Sequence, residues 1–246
     1  MEERIPAAER IERARQTRSP KLELDRCGLY KVPKEVRDFT FVESLNLEFN
    51  NLRDLPKWLR KLDALTELNV GANAFYEVPL VIHRLTGLRV LDLSENNLEG
   101  EPLDFLGGLT NLTRLYLVDT RSDRLPESIG GLTQMRELNL YRGFFTNSPD
   151  SLPPSLGRLT NLTALELSRN GLHEVPEWVR GMTKLRSLGL WMTDITEIPE
   201  WLTELTALER LALPCDPGTG LLAAILRLPH LTDLSIDGEE VELGQG

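Results

Sequence analysis

Between residues 162 and 184 the chain reads LTALELSRNGLHEVPEWVRGMTK, with apolar side chains at Leu162, Leu165, Leu167, Leu172 and Val175. This spacing fits neither the ~3.6-residue period of a helix nor the two-residue period of a strand across the whole stretch. It fits three short pieces in succession. Leu165 and Leu167 lie two apart, with Ala164, Glu166 and Ser168 facing the other way, which predicts a brief strand with one buried face. Asn170 breaks that strand, and short polar side chains at such turns hydrogen-bond neighbouring backbone. The pair Val175-Pro176 stops strand pairing and pre-sets φ for a helical turn. The run EWVRGMTK then returns the chain on the far side, with Val179 and Met182 facing in.

The same pattern returns 23 residues later as LRSLGLWMTDITEIPEWLTELTA and earlier as LTELNVGANAFYEVPLVIHRLTG and LTRLYLVDTRSDRLPESIGGLTQ. Repeat starts fall at Ser19, Val42, Leu65, Leu88, Leu112, Met135, Leu162, Leu185, Leu208 and Leu231, spaced by 23 residues except for one step of 24 and one of 27. Ten units, the last incomplete, thus cover almost everything after the first 18 residues. One unit cannot bury its own apolar face, whereas stacked units can. The turn position holds Cys27, Asn50, Asn73, Asn96, Thr120, Gly143, Asn170, Thr193 and Asp216, mostly small polar groups suited to satisfying interior backbone. Adjacent strands then form a parallel sheet on one side and the bulkier return segments lie on the other, so the stack curves with its strands inside.

These residues carry a resemblance. The pattern L-x-x-L-x-L-x-x-N-x-L, matched here by Leu162, Leu165, Leu167, Asn170 and Leu172, is that of the leucine-rich repeat family. The 23-residue length and the LP-x-x-[IL]-x-x-L ending (Leu125, Pro126, Ile129, Leu132) resemble the intracellular class that accompanies Ras-like and Roc GTPases or serves as signalling scaffolds. The resemblance implies an α/β curved solenoid with a concave parallel β-sheet and convex short helical, 3-10 or irregular turns. It also implies protein binding on the concave face. No G-x-x-x-x-G-K-[ST] motif occurs in the chain, so any GTPase involved is another polypeptide.

Charge narrows the partner. With 38 acidic and 28 basic residues the chain carries about −10, which argues against nucleic acid, since phosphate binding needs a basic face. No run of about 18 apolar residues exists, so no membrane span is expected. The charged start MEERIPAAERIERARQ lacks an apolar signal-peptide core. Cys27 and Cys215 sit in the first and ninth units, too far apart to pair in an elongated stack, and Asn111 and Asn161 are read as accidental N-x-T matches. A cytoplasmic monomer is expected.

Residues 1–18 read as a helical cap with Ile5, Ala8, Ile11 and Ala14 on one narrow stripe, the alternative being a partner-binding helix. Residues 19–236 are the repeats, and 237–246 an acidic cap or tail with Val241 and Leu243 over the last unit. A charged last strand blunts edge pairing. The ninth unit departs from pattern, with PCDPGTG in place of the usual turn.

No enzyme and no cofactor are expected. His83, His173 and His230 lie in different units without metal-like spacing, and no serine or cysteine has a nucleophile context. Three inward-facing columns can be written instead, with nine acidic and three basic residues among thirty positions, a net of −6. Acids come early, including Glu48, Glu67 and Asp92. Tyr116, Tyr141, Glu166 and Trp191 follow, with Arg142 and Arg169 beside the strands. Exposed aromatics next to arginine make interface hot spots, so these nine residues are the candidate site, the alternative being an idle face. The expected partner is a protein segment of basic and apolar character. The role read is a scaffold or adaptor; the competing role is a regulatory subunit or effector acting on a GTPase or ubiquitin-type partner. Two further surfaces compete. Trp178 and Trp201 share one convex repeat position and are expected to touch; packing across return segments is the simpler reading. The sixth unit carries an insertion at 146–151, where Phe145 is read as core and Phe144 as facing outward. Insertions often map to a binding face.

Overall fold

The computed structural model describes residues 5–100, 102–148 and 150–243. Ten parallel strands follow one per unit: β1 (Lys21–Glu23), β2 (Ser44–Asn46), β3 (Glu67–Asn69), β4 (Val90–Asp92), β5 (Arg114–Tyr116), β6 (Glu137–Asn139), β7 (Ala164–Glu166), β8 (Ser187–Gly189), β9 (Arg210–Leu213) and β10 (Asp233–Ile236). A short β11 (Glu239–Glu240) turns back antiparallel on β10. Spatial order equals chain order, so the sheet is an open curved strip, the concave face of a solenoid. Register follows the repeat residue for residue: Leu165 opposes Leu138 and Leu188, and Glu166 opposes Asn139 and Gly189.

The return segments are single turns of 3-10 helix, as at Lys57–Lys61, Glu177–Gly181 and Glu200–Glu204. Each of these three follows a proline in extended conformation, which fixes φ and stops strand pairing. The ninth unit differs: its return segment is an α-helix, Thr219–Ile225, that begins on the last two residues of PCDPGTG. Gly218, at φ +82, turns the chain into it, a conformation that favours glycine.

In the seventh unit Leu162, Leu165, Leu167, Leu172, Val179 and Met182 are all at or below 1% exposure. Equivalent residues of every unit join one continuous core running the length of the strip. Truncating such a leucine to alanine costs about 2–5 kcal/mol.

The turn column fastens unit to unit. Asn170 donates from Nδ2 to the carbonyls of Leu140, Leu167 and Ser168, and its Oδ1 accepts from the amides of Gly143 and Phe145. Asn50 and Asn96 repeat the arrangement. Thr120 and Thr193 keep one bond each, to Leu117 and Leu190. Asn111 and Asn161 also bond backward, each donating at 2.9 Å to a carbonyl of the preceding unit, Thr86 and Thr133.

Helix α1 (Ala7–Thr17) stands at the open edge of β1. Its buried stripe is narrower than the sequence suggests: Ile11 and Ala14 are buried, Ala7 is half-buried, and Ile5 and Ala8 are exposed. The helix begins at Ala7, so the phase set by Ala7, Ile11 and Ala14 leaves Ile5 ahead of the first turn. Arg10 donates to the carbonyls of Glu23 and Asp25 and pairs with the Asp25 carboxylate at 2.8 Å. At the other end Val241 and Leu243 pack against the core, the Val241 amide bonding the Leu234 carbonyl.

Candidate functional site

Strand register places the candidate residues in columns. Glu67 and Arg114 stand in one, on either side of Val90, and their side chains meet at 3.7 Å. Asp92, Tyr116 and Glu166 stand in the next. Glu48, Tyr141 and Trp191 follow just past the strand ends, where their carbonyls accept from Arg26, Asp119 and Arg169 of the preceding unit.

Much of the middle column is occupied locally. The side-chain oxygens of Asn46, Asn69, Asp92, Asn139 and Glu166 accept from the amide two residues on. Where that column holds no short acceptor, at Tyr116 and Gly189, the preceding unit supplies one. Ser94 Oγ accepts from Val118, and Ser168 Oγ from Trp191. Glu166 therefore braces its strand, and its carboxylate lies so close over Gly189 that a Cβ there would collide with it.

Electrostatics mark the early acids. Burial pushes the Glu48 carboxyl above its ordinary value, and the neighbouring Asp92 charge adds to it. Burial does the same to Asp92, opposed by its bonds to Ser94. Desolvation raises the Tyr116 hydroxyl to about 12, helped by the Glu137 carboxylate. Tyr116 therefore stays a neutral hydroxyl, while Glu48 and Asp92 are anions held against solvent loss and repulsion, a surface that gains from an incoming cation.

The aromatic half is built around one guanidinium. Arg169 lies 5.1 Å from the Trp191 ring centre and 5.8 Å from that of Tyr141, so three of the candidates form a single cluster. Arg142 instead pairs with Asp119 at 3.2 Å, outside it. Trp191 also has internal work: a Cβ added at Gly238 would lie 2.8 Å from its indole nitrogen, so the hairpin of β10 and β11 leans on the ring.

On the convex side Trp178 and Trp201 are both half-buried. Ring pairs among the described residues are Phe39–Phe41 and His83–Phe105, so Trp178 and Trp201 do not stack ring on ring. Trp178 packs backward instead, its Cβ against the space left by Gly157 of the preceding unit. Just before the insertion Phe145 is fully buried and Phe144 is 57% exposed.

One row of residues was read only in part, through Arg142 and Arg169. Arg26, Phe49, Ala72, Glu95, Asp119, Arg142, Arg169 and Met192, each directly before the turn column, all have left-handed backbone with φ between 49° and 56°. Their side chains line the edge of the concave face, as where Arg26 lies over the Phe49 ring at 3.7 Å. The fixed position was visible in the repeat; the conformation was not, since none of the eight is glycine or asparagine.

Among the described residues no group of three or more His, Cys, Asp or Glu could hold a metal ion, and no helix is long and apolar enough to cross a membrane.

A family model described as leucine-rich repeat region matches residues 78–245. A search of curated proteins gives no match. Among solved structures the chain is similar to a leucine-rich repeat protein of Leptospira interrogans, at 27% identity and TM-score 0.70 over 87% of this chain and 59% of that one. An internalin of Listeria monocytogenes shares its fold at 24% identity and TM-score 0.72, over 93% of this chain and 67% of that one. The plant peptide hormone receptor RGFR1, solved in complex with RGF2, is similar at 26% identity and TM-score 0.60, over 88% of this chain and 39% of the receptor. The chain thus spans less than two thirds of the Leptospira protein it resembles. A family match over more than half of its length, on a strip of parallel strands repeating every 23 residues, makes the chain a member of the leucine-rich repeat family.

Proposed function

We propose that the protein is a non-enzymatic interaction module, a scaffold or adaptor, that takes a basic and apolar segment of another protein along its concave sheet. The observation that carries this reading is the division of that sheet: desolvated acids at Glu48 and Asp92, then the Tyr141–Arg169–Trp191 cluster. An incoming lysine or arginine relieves the repulsion between the acids, and an apolar side chain covers the exposed part of the cluster. The similar plant peptide hormone receptor RGFR1 was solved in complex with RGF2, which supports a peptide or protein ligand here. A cytoplasmic setting belongs to the same proposal.

The test uses Tyr141→Ala with Arg169→Glu, because Trp191 supports the C-terminal hairpin and its removal would perturb the fold. A partner captured from lysate by the intact chain should be reduced at least tenfold on the double variant, with both proteins equally folded by circular dichroism. Equal capture would sink the concave reading. Binding should also weaken as pH falls through the raised carboxyl values of Glu48 and Asp92, since protonation removes the charge the ligand meets.

A further inference from the structure

A second surface breaks rules that the repeat otherwise keeps. Tyr76 and Phe144 are 65% and 57% exposed, and both line a groove of about 550 Å³ along the edge where the strands end. It crosses units three to six and is also lined by Glu95, Asn97, Asp119 and Arg121.

Phe144 has left-handed backbone at φ 63° and places a bare ring in solvent, while Phe145 beside it fills the core. An exposed aromatic in a costly conformation that adds nothing to burial points to function. The insertion that frames it is firmly tied on both sides. Asn147 donates to the Glu174 carbonyl and accepts from the His173 amide, while Ser151 donates to the Asp123 carbonyl and accepts from the Thr146 amide. Within the groove Asn97 Oδ1 is shielded from solvent and accepts no hydrogen bond. Arg142 is held by Asp119, whereas Arg121 makes no ion pair among the described residues.

We propose that this groove is a second docking site, for an extended segment of a partner protein with two large apolar side chains and an acid between them. Three strand spacings separate units three and six, about 14 Å, which an extended chain crosses in about four residues. Apolar residues at i and i+4 then share a face with an acid at i+2. The first two meet Tyr76 and Phe144, and the carboxylate meets Arg121. This is β-strand-like peptide recognition by side-chain pockets, opposite in charge to the ligand of the concave sheet and independent of it.

The experiment is selection of a phage-displayed library of random linear peptides on the full chain, followed by affinity measurement on variants. Enriched peptides should carry apolar residues four apart with Asp or Glu between. Phe144→Ala and Arg121→Glu, both at exposed positions, should each weaken binding about tenfold at unchanged melting temperature. Tyr141→Ala should leave it unchanged. No enrichment, enrichment without that pattern, or binding lost only with Tyr141→Ala would overturn the proposal; the last result would leave the concave reading standing.

Discussion

At the scale of single residues, the turn asparagine carries as much of the fold as a core leucine. Asn170 satisfies three carbonyls and two amides from its own unit and the one before it. Its removal leaves several buried backbone groups unpaired, each costing about 1–3 kcal/mol where water cannot reach. Asn170→Ala should therefore lower stability by about 3 kcal/mol in urea unfolding. Asn170→Thr should lose less, because Thr120 and Thr193 serve at equivalent positions with one bond each. This column was legible, since small polar side chains recur at most of its positions. The left-handed row beside it was not: its residues range from alanine to arginine, and what holds their conformation is tertiary, the amides of seven of the eight, all but Met192, bonding the next unit's carbonyl.

At the scale of elements, the ends show what a stack must do with its unpaired edges. An exposed strand edge invites another chain. Here α1 covers β1, and Arg10 reaches past it to bond the carbonyls of Glu23 and Asp25. Arg10→Ala should cost about 1–2 kcal/mol, the worth of charge-assisted bonds to backbone. It should also speed hydrogen exchange in β1 while leaving β6 to β8 unchanged; uniform acceleration would show that the edge is not held locally. Helix position could be read from Pro6 and the stripe, but its phase could not, because Ile5 and Ala8 fit the pattern as well as Ala7 does. The short α2 was illegible for a related reason. PCDPGTG announced a departure without saying what followed, and TGLLAAI is apolar on too many sides to show a period. Among the candidate residues, Trp191 stood out as a large aromatic in a polar column, whereas its contact with Gly238 depends on a hairpin that no repeat predicts.

At the scale of the whole molecule, the concave sheet is a charged surface on which burial acts on two of the acids. Glu48 and Asp92 have carboxyls raised above their ordinary values, so the folded state binds protons more tightly than the unfolded one. Their ionised forms therefore weigh against folding at neutral pH, and that burden lifts as pH falls through the raised values. Asp92→Asn should remove it while keeping the bond from the Ser94 amide, as Asn46, Asn69 and Asn139 do in their own units. The variant should match or exceed the parent by about 0.5 kcal/mol at pH 7, the range of a surface substitution. Its advantage should vanish in mild acid, as urea midpoints across pH will show.

The same sheet has no strand that passes over another: chain order is spatial order from β1 to β10. Pulled from its ends, such a molecule behaves less like a knot than like thread on a spool. Each turn can leave without disturbing the ones behind it, and each frees 23 residues, about 75–80 Å of slack at full extension. A module built this way can yield by one unit under load, give up the contacts that unit holds, and wind back.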